Sequence, residues 1–195
     1  MATDCTGVRA GRGNQLRIIG GRWRGRRLEF PPVQGLRPTP DRVRETVFNW
    51  LAPWIPGARC LDLFAGSGAL GIEALSRGAA EVVFVERHPG VAQRLRENLI
   101  LLGVDGPQIA QTDALVWLKG QARPFDIILL DPPFGQGLLV PVCKALERGS
   151  WLGPEARIYL EAERELATLE LPEAWEISRE KTAGQVAYRL AVRRS

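Results

Sequence analysis

Residues Cys60-Leu61-Asp62-Leu63-Phe64-Ala65 form a largely apolar run of strand length that carries one acid, and the run breaks at once into Gly66-Ser67-Gly68-Ala69-Leu70-Gly71. Helix-like sequence follows without a spacer. A strand, a tight turn and a helix N-terminus in direct succession leave few architectures open. Glycine is needed where the backbone turns sharply, meets a ligand without a Cβ, and lets helix pack closely on strand. The bend is therefore expected to hold a small molecule.

The rest of the chain repeats the alternation. Strands are expected at 59–65, 81–87, 108–112, 125–131 and 156–161, with helices near 68–77, 90–102, 114–119 and 138–148 between them. Such a succession with short connections calls for a parallel sheet covered by helices on both faces. Ile127-Ile128-Leu129-Leu130 is a continuous apolar run, as a strand buried on both sides requires. Trp175 to Lys181 and Gln185 to Arg193 alternate around Ala183-Gly184 and read as a closing antiparallel hairpin.

Upstream of the bend the sequence changes character. Leu16 to Ile19, then Gly20-Gly21, then Arg22 to Leu28 reads as a two-stranded hairpin turning at the glycine pair. Pro31, Pro32, Pro38 and Pro40 mark an extended connector. Thr39 as N-cap, with Pro40 in the first helical position, is expected to open a helix through about Leu51. Its residues Val43, Val47, Trp50 and Leu51 share one face, while Arg42, Glu45 and Asn49 lie elsewhere. Three segments follow: a loose tail over 1–15, a basic hairpin and helix over 16–52, and the main α/β domain over 53–195.

Charge follows the same division. Residues 1–60 hold 11 Arg, no Lys and 4 acids, whereas residues 61–195 hold 15 Lys+Arg and 18 acids. The positive charge is an N-terminal property, carried by the side chain whose planar fork suits phosphates and base edges. No apolar run reaches 18 residues and the first fourteen residues do not resemble a signal peptide, so neither a membrane span nor export is expected. The three cysteines, Cys5, Cys60 and Cys143, are widely spaced and suggest neither a disulfide framework nor a zinc site; a reducing cytoplasm and no metal are expected. His88, the single histidine, precedes Pro89 in a strand-to-helix turn and is read as a solvated turn residue.

The G-x-G-x-x-G pattern is shared by sites for NAD, FAD and S-adenosylmethionine. Acidic residues narrow it. Asp62 lies inside the first strand, where a carboxylate is costly unless it is hydrogen-bonded; a ligand with an ammonium group is a natural partner, directly or through backbone and water. Glu86, twenty residues after Gly66, is placed to accept ribose hydroxyls, and Asp113 an adenine amino group. The sharpest feature is Asp131-Pro132-Pro133-Phe134, directly after the buried fourth strand. Two prolines stiffen the turn and remove two backbone donors, so the Asp131 carboxylate and the Pro132 carbonyl converge as acceptors, suited to an exocyclic amino group. Phe134 offers a flat face to a base. Ala65 and Ile72 stand where a nucleophile elbow needs glycine and a phosphate loop needs lysine, so hydrolase and P-loop chemistry are not supported.

Asp62-Leu63-Phe64-Ala65-Gly66-Ser67-Gly68, the acidic strand ends and Asp131-Pro132-Pro133-Phe134 resemble the class I S-adenosylmethionine-dependent methyltransferases that modify exocyclic amines. More narrowly, Arg17-Ile18-Ile19-Gly20-Gly21 with Arg24-Gly25-Arg26, then Leu36-Arg37-Pro38-Thr39 and Asp41-Arg42-Val43-Arg44-Glu45-Thr46, resemble the bacterial RsmD family, from about residue 16 onward. Its members methylate guanine N2 in small-subunit ribosomal RNA. Pro40 stands where members often carry Thr, a change that suits a first helical turn.

The resemblance implies a doubly wound, Rossmann-like sheet of seven strands with one antiparallel member. It implies S-adenosylmethionine, converted to S-adenosylhomocysteine, held by Asp62, Phe64, Gly66, Gly68, Glu86 and Asp113, and a catalytic set of Asp131, Pro132, Pro133 and Phe134. Arg17, Arg22, Arg24, Arg26, Arg27, Arg37, Arg42 and Arg44 are expected to grip RNA. Trp23 has two readings, stacking on a base or packing on the body. The partner implied is 16S ribosomal RNA within a small-subunit assembly particle, met by a cytoplasmic monomer. Two alternatives stay open: a DNA or protein amide methyltransferase, and a non-catalytic RNA-binding module.

Overall fold

Neighbouring residues of the central strands part to opposite faces, and two apolar layers grow from that alternation. In the computed structural model, which describes residues 14–33, 39–164 and 170–194, Cys60 and Phe84 join one cluster while Leu61, Val83 and Val85 join the other. The strands are β1 (Asn14–Arg17), β2 (Arg27–Phe30), β3 (Arg59–Asp62), β4 (Glu81–Val85), β5 (Gln108–Ala110), β6 (Phe125–Leu130), β7 (Leu152–Glu163), β8 (Trp175–Ala183) and β9 (Val186–Arg193). The helices are α1 (Asp41–Leu51), α2 (Ala69–Ser76), α3 (Pro89–Leu101), α4 (Ala114–Trp117) and α5 (Leu139–Arg148).

Seven strands form one sheet in the order β5-β4-β3-β6-β7-β9-β8. β5, β4, β3, β6 and β7 run parallel, and β9 is antiparallel to both of its neighbours. This is the doubly wound α/β sheet with one antiparallel member, and the C-terminal hairpin supplies that member through a turn at Gly184 and Gln185. No helix among the described residues is long and apolar enough to cross a membrane.

One face of the sheet is covered by α2 and α3 together with α1, Ile18, Trp23 and Leu28, and the other by α4 and α5. Val43, Val47 and Leu51 are buried as the helical spacing requires, Phe48 joins them, and Trp50 stacks on Tyr188 with ring centroids 5.5 Å apart. The N-terminal segment is thus continuous with the core of the sheet.

The hairpin differs from expectation. β1 and β2 pair with Arg17 opposite Arg27, so the connection spans 18–26 and contains a 3-10 turn over Gly21–Trp23. The glycine pair docks on α2 instead of reversing the chain. Glu73 accepts the amides of Ile19 and Gly20 at 3.0 and 2.7 Å, and Ser76 Oγ accepts Trp23 N–H at 3.1 Å and donates to the Gly20 carbonyl at 2.6 Å. Gly21 has φ +72°, and a Cβ there would lie 1.8 Å from the Ser76 carbonyl oxygen, so only glycine fits. Trp23 is buried against the body, with the Arg22 guanidinium 4.1 Å from its ring.

The start of α1 also differs. Pro40 occupies the N-cap position with no side-chain cap, and Thr39 is buried with its hydroxyl turned elsewhere.

Candidate active site at the carboxyl ends of the parallel strands

Four acids close four adjacent strands. Asp62 is the last residue of β3, Glu86 follows β4, Asp113 lies just beyond β5, and Asp131 follows β6. Because these strands are parallel and neighbours in the sheet, all four residues stand at one edge, where ligands of open α/β sheets bind.

The glycine bend is built into that edge. Asp62 is 1% exposed and its Oδ2 accepts Gly71 N–H at 2.9 Å. It braces the start of α2 from below, so its effect on a ligand passes through the backbone. Burial pushes its carboxyl up to about 7, against the pull of the Gly71 amide and with a smaller push from Glu86. Gly68 has φ +79°, and a Cβ on Gly71 would meet the Phe84 ring at 2.3 Å, which accounts for two of the three glycines.

Glu86 folds back over the bend. Its Oε2 accepts Gly66 N–H at 2.8 Å and its Oε1 accepts His88 N–H at 2.7 Å. His88 caps α3 through Nδ1, which accepts Val91 N–H at 3.3 Å, a structural role beyond that of a solvated turn residue. Asp113 is the N-cap of α4, its Oδ1 accepting from Leu115 and Val116 at 2.9 and 3.2 Å. Phe64 is half-buried above the second core cluster.

Asp131 is half-buried, and its Oδ2 accepts a hydrogen bond from the Thr39 hydroxyl at 3.2 Å. Burial holds its carboxyl well above the usual range; the nearby Glu161 and Asp62 push the same way, and Thr39 opposes them. Glu161, on β7, is 3% exposed and accepts the Tyr159 hydroxyl at 2.5 Å. Burial raises its carboxyl also, against the hydroxyls of Tyr159 and Thr39. Phe134 is 44% exposed, and the Gly135 amide that follows it donates to Glu163, again on β7. Tyr159, Glu161 and Glu163 alternate along β7 and so share one face of the sheet.

Thr39, Tyr159 and Glu161 escaped the sequence reading. The signal was an acid at an otherwise apolar strand position, Tyr159-Leu160-Glu161, the same anomaly that marked Asp62.

The arginines divide. Arg17, Arg22, Arg24, Arg26, Arg27 and Arg42 are exposed. Arg44 is not: it is 1% exposed, donating to the Thr39 carbonyl at 3.0 Å, the Arg17 carbonyl at 2.8 Å and Asp41 Oδ1 at 2.6 Å. The expectation that Arg44 grips RNA is corrected, since helical periodicity places it beside Val43 and Val47 and its charge is met by Glu73 at 3.6 Å. Arg37 lies outside the described residues.

Residues 16–192 match the family described as Conserved hypothetical protein 95. The chain is 52% identical over 176 residues to the ribosomal RNA small subunit methyltransferase D of Escherichia coli K12, covering 90% of this chain and 89% of the relative. The solved structure of yhhF from Escherichia coli superposes with a TM-score of 0.88 at 49% identity, covering 93% of this chain and 99% of that one. An RNA methyltransferase from Salinibacter ruber, solved in complex with S-adenosyl-L-homocysteine, gives a TM-score of 0.62 at 18% identity over 82% of this chain and 95% of that one, a likeness of fold.

Proposed function

The chain belongs to the Conserved hypothetical protein 95 family, that of the RsmD methyltransferases, and on that premise we propose that it methylates the exocyclic N2 of a guanine in small-subunit ribosomal RNA. One observation carries the reading: the Asp131 carboxylate and the exposed Phe134 ring stand on the same sheet edge as the glycine bend and its three other acids.

The acceptors at this edge suit S-adenosylmethionine. Glu86, beside Gly66, would hold the ribose hydroxyls, Asp113 the adenine amino group, and the Gly66–Gly71 backbone, braced by Asp62, the amino-acid portion. When bound, the cofactor supplies an electrophilic methyl group on a sulfonium. Asp131 and the Pro132 carbonyl accept the two hydrogens of the guanine amino group, which turns the nitrogen lone pair toward the methyl group. Phe134 stacks on the base. Positioning provides most of the rate, and the proton leaves after transfer.

The exposed arginines of residues 16–52 grip the RNA backbone, with Arg22, Arg24 and Arg26 in the connection that leads to β2, Arg27 at its start and Arg42 at the start of α1. The setting that fits is cytoplasmic, on an assembling small subunit. Transfer of labelled methyl from S-adenosylmethionine, compared across RNA, DNA and protein substrates, tests the reading: RNA is expected to be the acceptor, and labelled DNA or protein amide in its place overturns it.

A further inference from the structure

A short chain of contacts joins the basic hairpin to the carboxylate at the end of β6. Glu73 of α2 holds the Ile19 and Gly20 amides and faces Arg44 of α1. Arg44 holds the carbonyl of Arg17, the last residue of β1, and the carbonyl of Thr39. Thr39, 4% exposed, sends its hydroxyl to Asp131 across a sequence separation of 92 residues. A hydroxyl ahead of a helix ordinarily caps it, and this one does not: α1 starts without a side-chain cap.

We propose that Thr39 is a positioning residue for methyl transfer, its hydroxyl aiming Asp131 at the target amino group from a backbone that Arg44 and Glu73 fix to the basic hairpin. The inference rests on the reading of Asp131 given above. A carboxylate offers about four lone-pair sites on two oxygens. Thr39 occupies one on Oδ2, which restrains the carboxylate and leaves Oδ1 for the substrate amine. The single Thr39 proton is available for this because Glu161, which the same hydroxyl also approaches, has its own donor in Tyr159.

Electrostatics sets a second role for the hydroxyl. Asp131 is faced by Glu161 and Tyr159 from β7, by Asp62 from β3 and by Thr39 from the segment before α1. Burial and the two acids favour its neutral form, and Thr39 favours the carboxylate, which accepts one substrate hydrogen while the Pro132 carbonyl accepts the other. Loss of the hydroxyl is therefore expected to disorient Asp131 and to make it ionise at higher pH. Arg44 and Glu73, which no substrate can reach directly, become part of the same device by holding Thr39 in register with the hairpin.

The test uses the full chain as wild type, Thr39→Val and Thr39→Ser, with small ribosomal subunits that lack the methyl group as substrate. Thr39→Val is expected to keep KM for subunits and Kd for S-adenosylmethionine within about twofold, to lose about tenfold in kcat, as one hydrogen bond is worth, and to move the acid limb of kcat to higher pH. Thr39→Ser is expected to restore both. Wild-type kcat and pH limb in Thr39→Val overturn the proposal, as does a loss confined to KM or one that serine does not repair. If the wild type itself transfers no methyl group to the subunits, the reading of the site fails and this inference falls with it.

Discussion

Arg44 and Glu73 face each other inside the protein, Nη1 to Oε2 3.6 Å, with side-chain exposures of 1% and 0%. Between them they hold the Ile19 and Gly20 amides, the Arg17 and Thr39 carbonyls, Asp41 and Arg77. Removing one partner of such a pair strands a buried charge, at a cost of about 3–5 kcal/mol. Arg44→Ala is accordingly expected to lose that much stability in urea unfolding, whereas Arg24→Ala, at an exposed position, should stay within about 0.5 kcal/mol of wild type. Equal stabilities would show that Arg44 is not the internal brace described.

The exposed arginines carry the opposite signature. Four phosphate contacts from Arg22, Arg24, Arg26 and Arg27 predict that log affinity for single-stranded RNA falls with log salt at a slope of about −3, and that Arg24→Ala with Arg27→Ala reduces its magnitude by about 1.4. Fluorescence anisotropy across a salt series measures both. A slope unchanged in the double variant would remove these residues from the RNA interface.

Asp62 makes stability depend on pH. Burial raises its folded-state carboxyl to about 7 from an ordinary 3.8, so its favourable contribution is complete below about pH 4 and is lost as pH rises through 7. Asp62→Asn keeps an acceptor for Gly71 N–H and does not ionise. Relative to wild type it is expected to gain a few kcal/mol between pH 4 and pH 8, seen as diverging urea midpoints; a constant difference would mean that Asp62 ionises normally.

Glu161 provides a kinetic counterpart. Burial first, and then the Glu161 charge, push the Asp131 carboxyl upward, so methyl transfer should fall as pH drops through that raised value. Glu161→Gln removes the charge and is expected to move the acid limb of kcat to lower pH while Kd for S-adenosylmethionine holds. A limb that stays in place, or moves up, would separate Glu161 from Asp131.

What could be read from the sequence follows the range of the interactions involved. The glycine bend and Asp131-Pro132-Pro133-Phe134 are each set by adjacent residues, and periodicity carries the succession of strands and helices as far as the β8–β9 hairpin, while the order of the strands in the sheet depends on long-range pairing. Glycine's meaning was legible only where strand and helix flanked it: Gly20-Gly21 read as a hairpin turn because the helix it docks on, α2, lies some fifty residues downstream. A still longer separation hides Thr39, whose local sequence reads as a helix cap while its partner Asp131 is 92 residues away. Arg44 is hidden for a related reason. In a basic segment every arginine looks available, although helical periodicity already sets Arg44 beside Val43 and Val47, and the packing of α1 on α2 encloses it.

Asp131 as acceptor of the guanine amino group is tested most directly by the identity of the modified atom. Small subunits lacking the methyl group, treated with the protein and labelled S-adenosylmethionine and then digested to nucleosides, are expected to yield labelled N2-methylguanosine. Asp131→Ala should reduce its formation about 10²–10³-fold, as loss of a key positioning contact does, with cofactor binding retained. A methyl group on another atom, or undiminished transfer by Asp131→Ala, would contradict it.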